Sequence, residues 1–208
     1  MLRKYWINIS SWLLFVSVIV SCSQDNSRVP FKGPITIDSN GDTAFYEVPD
    51  YNFLDQDSIL ISKKSNLGKV CAINFFFTAC PTQCPIITHN LNSIVHQEFQ
   101  GNSNVISLSI TLDPEYDTQG VLKRYASEYK IDTDYWKFLR ADDLYTFKFM
   151  NKALYQPGAK DANEPGGIGH SANVVLVDRY GRMRDFYSGE SIDELDKLVD
   201  DIYKLLKE

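Results

Sequence analysis

Apolar positions along this chain fall into short strand-like runs separated by longer stretches with helical spacing. Val70 to Phe77 is almost unbroken, the reading of a strand buried on both faces. Val105 to Leu112 (VISLSITL) alternates, which predicts a second core strand ended by Asp113-Pro114. Further strands are predicted over Trp136–Arg140, Asn173–Val177 and Arg182–Tyr187, the last two joined by the turn Asp178-Arg179-Tyr180-Gly181. Helices are predicted from about Pro85 to Gln97, over Thr118 to Tyr129 with Val121, Leu122 and Tyr125 on one face, and over Asp143 to Leu154. Ser191-x-x-Glu194 reads as a capping box opening a last helix to about Leu206, with Ile192, Leu195, Leu198, Val199 and Ile202 as its apolar face. Phe45 to Leu60 alternates loosely around turn signals and predicts a hairpin. Tyr155 to His170, rich in Gly, Pro, Asn and Asp, predicts a long loop of the kind that is often functional or mobile. Buried strands alternating with amphipathic helices give an α/β sandwich around a central mixed sheet.

The chain has 208 residues, which fits one domain with an ordinary core. Its start differs in kind from the rest. Arg3 and Lys4 precede an apolar stretch, Trp12 to Val20, that is too short to span a membrane and suits a signal peptide. Ile19-Val20-Ser21-Cys22 then resembles a bacterial lipobox, so residues 1–22 are expected as a lipoprotein signal with Cys22 as the lipidated residue. A flexible tether over 23–44 and a domain over 45–208 complete the expected organisation. The domain is placed outside the cytoplasm, on the periplasmic side of a membrane. Without the signal, 19 basic residues face 27 acidic ones, a formal charge of −8. An acidic body with no basic cluster argues against a nucleic-acid partner. A monomer is expected.

The chemistry gathers at Cys80-Pro81-Thr82-Gln83-Cys84-Pro85, directly after the first core strand. Thiols at a strand-to-helix junction meet exposed helix N–H groups and the positive end of the dipole, which favour thiolate. Residues at i and i+4 project from one face, so two sulfurs can converge on one ion. Soft thiolates select Cu(I), zinc or iron–sulfur clusters, and a closed zinc site would normally need four protein ligands. The alternative is a dithiol that cycles through a disulfide. Cys71, nine residues before Cys80 and about 20–30 Å from it along a strand, reads as a core residue. Met150 and Met183 read as packing residues. His89, about 140° round the helix from Cys84, and His96 read as solvated helix residues. His170 differs, because it follows Gly166-Gly167-Ile168-Gly169 and precedes a core strand. With the cysteine pair ending the first core strand, the pattern resembles a thioredoxin-like fold. In that fold the loop before such a strand leans over the cysteine turn.

Cys80-x-x-x-Cys84-Pro85, Thr111-Leu112-Asp113-Pro114-Glu115-Tyr116-Asp117-Thr118, and His170-Ser171 before Leu176-Val177-Asp178-x-x-Gly181 together resemble the Sco/SenC family of copper-binding assembly factors. The resemblance covers roughly Tyr51 to Leu206. It implies a thioredoxin-like fold and copper, as Cu(I) or Cu(II), bound by Cys80, Cys84 and His170. It also implies a part in maturing the dinuclear copper centre of cytochrome c oxidase subunit II, by delivering copper, reducing the target's cysteines, or both. Asp113 matches the family's acidic residue near the site, although a strand-ending Asp-Pro turn reads equally well. Three positions depart from the pattern, Thr82 and Gly169 where the family often has Asp, and Tyr116 where it often has Arg. They take charge from around the ligands, which tunes affinity and redox potential. A metal-independent thiol-disulfide reductase would use the same cysteines without needing His170 as a ligand. A thiol peroxidase fits poorly, since Phe77 stands three residues before Cys80 and Thr78 only two. A copper sensor or store would bind the metal without any part in oxidase assembly.

Overall fold

The structure, a computed structural model, describes residues 28–208; Cys22 and the expected signal segment lie outside them. Strands β1 (Thr36–Ile37) and β2 (Thr43–Ala44) pair in a small exposed hairpin. A second hairpin, β3 (Asn52–Asp55) and β4 (Leu60–Ser62), leads through the single turn α1 (Lys63–Asn66) into β5 (Val70–Phe76). Helix α2 (Gln83–Asn90) continues through a π-helical turn, Leu91–His96, into α3 (Gln97–Phe99). Then come β6 (Val105–Thr111), α4 (Gln119–Glu128), β7 (Trp136–Arg140) and α5 (Asp143–Lys148), the last extended by a π-helical turn over Phe149–Ala153. A hairpin of β8 (Gly158–Lys160) and β9 (Ile168–His170) precedes β10 (Asn173–Val177), β11 (Met183–Ser188) and α6 (Ile192–Lys207).

The main sheet has the order β11-β10-β5-β6-β7-β3-β4, with β5, β6 and β7 parallel and the other pairings antiparallel. This is the thioredoxin-like α/β arrangement, a mixed sheet flanked by helices. All residues of β5 and β6 are buried, because helices cover both faces. The serines that make β6 alternate are therefore inside rather than solvated. Ser109 Oγ donates to Asn74 Oδ1 at 2.6 Å and accepts from Trp136 Nε1 at 2.8 Å, so Ser109 is satisfied within the core.

Helix boundaries follow local chemistry. Thr118 caps α4 through Val121 N, and Ser191 caps α6 through Glu194 N. The expected capping box at Ser191 is only half made, since the Glu194 carboxylate accepts from Ser188 N at 2.6 Å instead. Leu195, Leu198, Ile202 and Leu205 form the buried face of α6, whereas Ile192 is exposed. Cys71, Met150 and Met183 lie in the core, as expected from their settings.

Two expectations need correction. His96 is buried, its Nε2 accepting from Asp132 N at 3.2 Å and its ring lying 5.6 Å from that of Trp136. Trp136 at the start of β7 and Asp132 in the loop before it cover the end of the helix, which helical spacing alone does not reveal. The tether expected over 23–44 is also too long. Val29 to Phe31 lie on the domain, with Val29 buried and Phe31 stacked on Phe45 at 3.7 Å. Arg184 is fully buried and donates to the carbonyls of Val29 and Pro30.

Candidate metal centre

The turn between β5 and α2 brings the first cysteine to the rim and the second into the helix. Cys80 N donates to Phe77 O at 3.2 Å, closing the turn. Pro85 falls in the first turn of α2, where its missing N–H costs no helical bond. Thr82 occupies the capping position, but its hydroxyl makes no cap and lies 3.8 Å from Cys80 Sγ. Burial pushes the Cys80 thiol up. Hydrogen bonds to its sulfur from the Cys84 side chain, and from Cys84 and Thr82 backbone and the Thr82 hydroxyl, outweigh that and hold it below its ordinary value. Burial pushes the Cys84 thiol strongly up, and the neighbouring Cys80 adds to the shift. The pair is thus polarised, with Cys80 as the thiolate former and Cys84 as the proton holder.

His170 ends β9 and faces the cysteines from the opposite junction. The segment expected as a long loop is ordered here as the β8–β9 hairpin, pinned by Asn151 to both backbone groups of Gly158. Its tip lies against the cysteine turn at Gly166, which has φ +77°; a Cβ there would stand 2.8 Å from the Phe77 ring and 3.2 Å from Pro81. Only glycine allows that approach. At Gly169 a Cβ would meet the Glu164 side chain at 2.9 Å, so the acidic chain of Glu164 fills the space beside His170. Buried Gln156 accepts from Ser171 Oγ at 2.9 Å and from Asn173 Nδ2 at 3.1 Å, fixing the residue that orients the ring.

His170 Nδ1 lies 2.8 Å from the Ser171 carbonyl oxygen and donates to it, because that oxygen can only accept. Its Nε2 is left unprotonated, 3.5 Å from Cys84 Sγ. Burial pushes the His170 imidazole down and so favours the neutral ring, with the Ser171 carbonyl partly opposing. Sulfur and nitrogen bound to one d10 ion at about 2.3 and 2.0–2.1 Å stand roughly 3.5 Å apart at a tetrahedral angle, so these two donors fit a shared soft metal. Among the described residues no three His, Cys, Asp or Glu side chains are already drawn together as a metal-holding group. Cys84 and His170 form the close pair, and Cys80, beside Cys84, is the third donor at hand. The groove in front of them, about 580 Å³, is lined by Cys80, Gln83, Glu164 and His170 among others.

His89 is exposed on α2, away from this group. The backbone of Asp113 is engaged, its N–H donating to Thr111 Oγ1 at 3.0 Å and its carbonyl accepting from Asp117 N at 2.8 Å. The acid tied to the cysteine turn is Asp117, fully buried, which accepts from Thr78 N at 3.1 Å and from the hydroxyls of Thr78 and Thr111. Sequence reasoning passed over Asp117, and also Gln83 and Gln156. The only signal for Gln83 was its place inside the cysteine motif.

The chain is similar to proteins of one family. A family model described as SCO1/SenC matches residues 40–207. The SCO1 protein homolog of Bacillus subtilis is 27% identical over 162 residues, covering 76% of this chain and 81% of that protein. The crystal structure of a SCO1/SenC family lipoprotein from Bacillus anthracis superposes with a TM-score of 0.71 at 26% identity, over 77% of this chain and 95% of that one. BsSco, described as a member of the Sco family of cytochrome c oxidase assembly proteins with a disulfide switch, gives a TM-score of 0.69 at 26% identity, over 85% of this chain and 97% of its own. With the matched region spanning both cysteines and the histidine, this chain belongs to the SCO1/SenC family.

Proposed function

We propose that this protein captures copper with Cys80, Cys84 and His170 and hands it to the dinuclear copper centre of cytochrome c oxidase subunit II or a similar acceptor. The observation that carries this reading is the 3.5 Å approach of Cys84 Sγ to the unprotonated Nε2 of His170. The Cys80 thiolate meets Cu(I) first at the rim. Cys84 then releases its proton and binds, and His170 supplies a neutral nitrogen. Two sulfurs and one imidazole leave the ion open on its groove side, so an acceptor's thiolates can enter and take it by ligand exchange. Membership of the family, and the description of BsSco as one of the oxidase assembly proteins, support the acceptor. Among the described residues no helix is long and apolar enough to cross a membrane. We assign the anchor to a lipid on Cys22, which would hold the domain on the periplasmic face; the order of Arg3, Lys4, apolar segment and lipobox supports this.

The polarised thiols favour a second reading, reduction of the acceptor's cysteines. The Cys80 thiolate attacks one sulfur of the acceptor disulfide, whose S–S bond breaks, and the other acceptor sulfur leaves and takes up a proton. Cys84, once deprotonated, attacks Cys80 Sγ, breaks the mixed disulfide and releases the acceptor as a dithiol. Two electrons pass, and Cys80 and Cys84 end as a disulfide.

Anaerobic Cu(I) titration, followed by thiolate charge-transfer absorption, separates the readings. The native reduced protein is expected to bind copper tightly, His170→Ala less tightly, and the Cys80→Ala/Cys84→Ala double variant not at all. Undiminished binding by the double variant would sink the copper site. A native protein that never holds copper, with a His170→Ala variant that reduces a target disulfide at the normal rate, would leave the reductase.

A further inference from the structure

Gln83 opens α2 between the two cysteines, and its amide nitrogen stands 3.2 Å from His170 Nε2 and 3.3 Å from the His170 carbonyl oxygen. A carbonyl only accepts, so that contact fixes which way the amide points: its NH₂ faces His170. One amide hydrogen goes to the carbonyl and the other to the ring. Since Nδ1–H is committed to the Ser171 carbonyl, the ring atom receiving it is the lone pair of Nε2, the same lone pair a metal ion requires. The place of the ring does not depend on this contact. Ser171 O holds it at 2.8 Å, and the Phe77 ring meets it edge-on with centroids 6.1 Å apart.

We propose that Gln83 is a displaceable cap on the metal-binding nitrogen of His170, an inference that rests on the copper-site reading above. Copper caught by the thiolates recruits His170 only when the amide leaves Nε2. The hydrogen bond to the His170 carbonyl serves as the pivot on which Gln83 moves. The cap thereby weakens the third ligand relative to the two sulfurs. An ion so held passes more readily to incoming thiolates than one locked by three uncontested donors. Gln83 is a positioning residue, acting through His170.

Two measurements on Gln83→Leu and Gln83→Ala test this. In the metal-free protein, ¹⁵N NMR of the His170 ring should show Nε2 moving toward the position of a free unprotonated nitrogen once the amide is gone, with only the weaker Cys84 S–H left as a donor at 3.5 Å. In Cu(I) competition against a chelator, both variants should bind about two- to tenfold more tightly than the native protein, the worth of one neutral hydrogen bond. In a His170→Ala background the same substitutions should leave affinity unchanged. An unmoved Nε2 resonance, or equal or weaker copper binding by both Gln83 variants while His170→Ala weakens it, overturns the cap and leaves the copper site standing. If His170→Ala binds copper as tightly as the native protein, the ligand assignment fails and the cap falls with it.

Discussion

Asp117 holds together two loops that the cysteine site depends on. Its carboxylate receives three hydrogen bonds, two of them from Thr78, which is two residues before Cys80. Asp117→Asn would set an NH₂ group among donors and is expected to destabilise the protein by about 1–3 kcal/mol in urea denaturation. It should also slow disulfide formation between Cys80 and Cys84, because the turn that aligns them loosens. The role was not legible in the sequence, where Asp117 stands among turn-forming residues and the crossing of two loops gives it its partners. The junctions that bring Cys80, Cys84 and His170 near one another were legible, because motif spacing and element ends are local properties. His96 was not, since only the packing of β7 decides that the end of the helix is covered. Burial pushes the His96 imidazole down, with Asp132 opposing, and His170 is likewise pushed down by burial. The folded imidazole therefore has the lower pKa, and the unfolded chain takes up the proton first. Stability of the metal-free protein should fall as the pH drops through the ordinary imidazole range, until both histidines are also protonated in the folded state. His96→Gln keeps an acceptor for Asp132 N and should flatten that slope; denaturation curves at several pH values measure it.

Among the elements, the β8–β9 hairpin decides where His170 stands. Its strands are three residues each, one of them glycine, with no alternation to signal pairing and with Pro157 and Pro165 just outside them, so the sequence predicts a loop; the backbone ladder and Asn151 make it a hairpin. The long elements were readable for the opposite reason. β5 and β10 carry dense apolar runs, β6 alternates cleanly, and α4 and α6 carry capping hydroxyls before an apolar face. Gly166→Ala tests the hairpin as an element. A left-handed backbone costs an L-residue about 1–2 kcal/mol, and the added methyl presses on Phe77 and Pro81. The expected outcome is a lower melting temperature together with weaker Cu(I) binding in chelator competition. Loss of stability with unchanged copper affinity would show that His170 does not depend on the tip contact.

At the scale of the whole molecule, Arg184 joins the first described residues to the last. Fully buried, it pairs with Asp178 at 3.1 Å and with Glu208 at 2.7 Å while donating to the Val29 and Pro30 carbonyls. Its guanidinium also lies 4.2 Å from the Phe31 ring centre, on the ring face. Arg184→Ala leaves Asp178 short of a buried partner and is expected to cost about 3–5 kcal/mol in denaturation, with earlier protease cleavage before residue 34. Unchanged cleavage there would mean that Phe31 and Val29 hold the segment without the clasp.

The clasp also has a direction. Met183, which accepts from Lys32 N, pairs with Val177, and Val177 pairs with Cys71 near the start of β5. Cys80 lies beyond the far end of that strand, which at about 3.3 Å per residue puts roughly 20 Å of sheet between the two ends. Arg28 to Phe31 therefore lie at the pole opposite the thiols. Were the proposed lipid anchor to act on that pole, the cysteine groove would point outward from the lipid surface, toward partners that project into the same space.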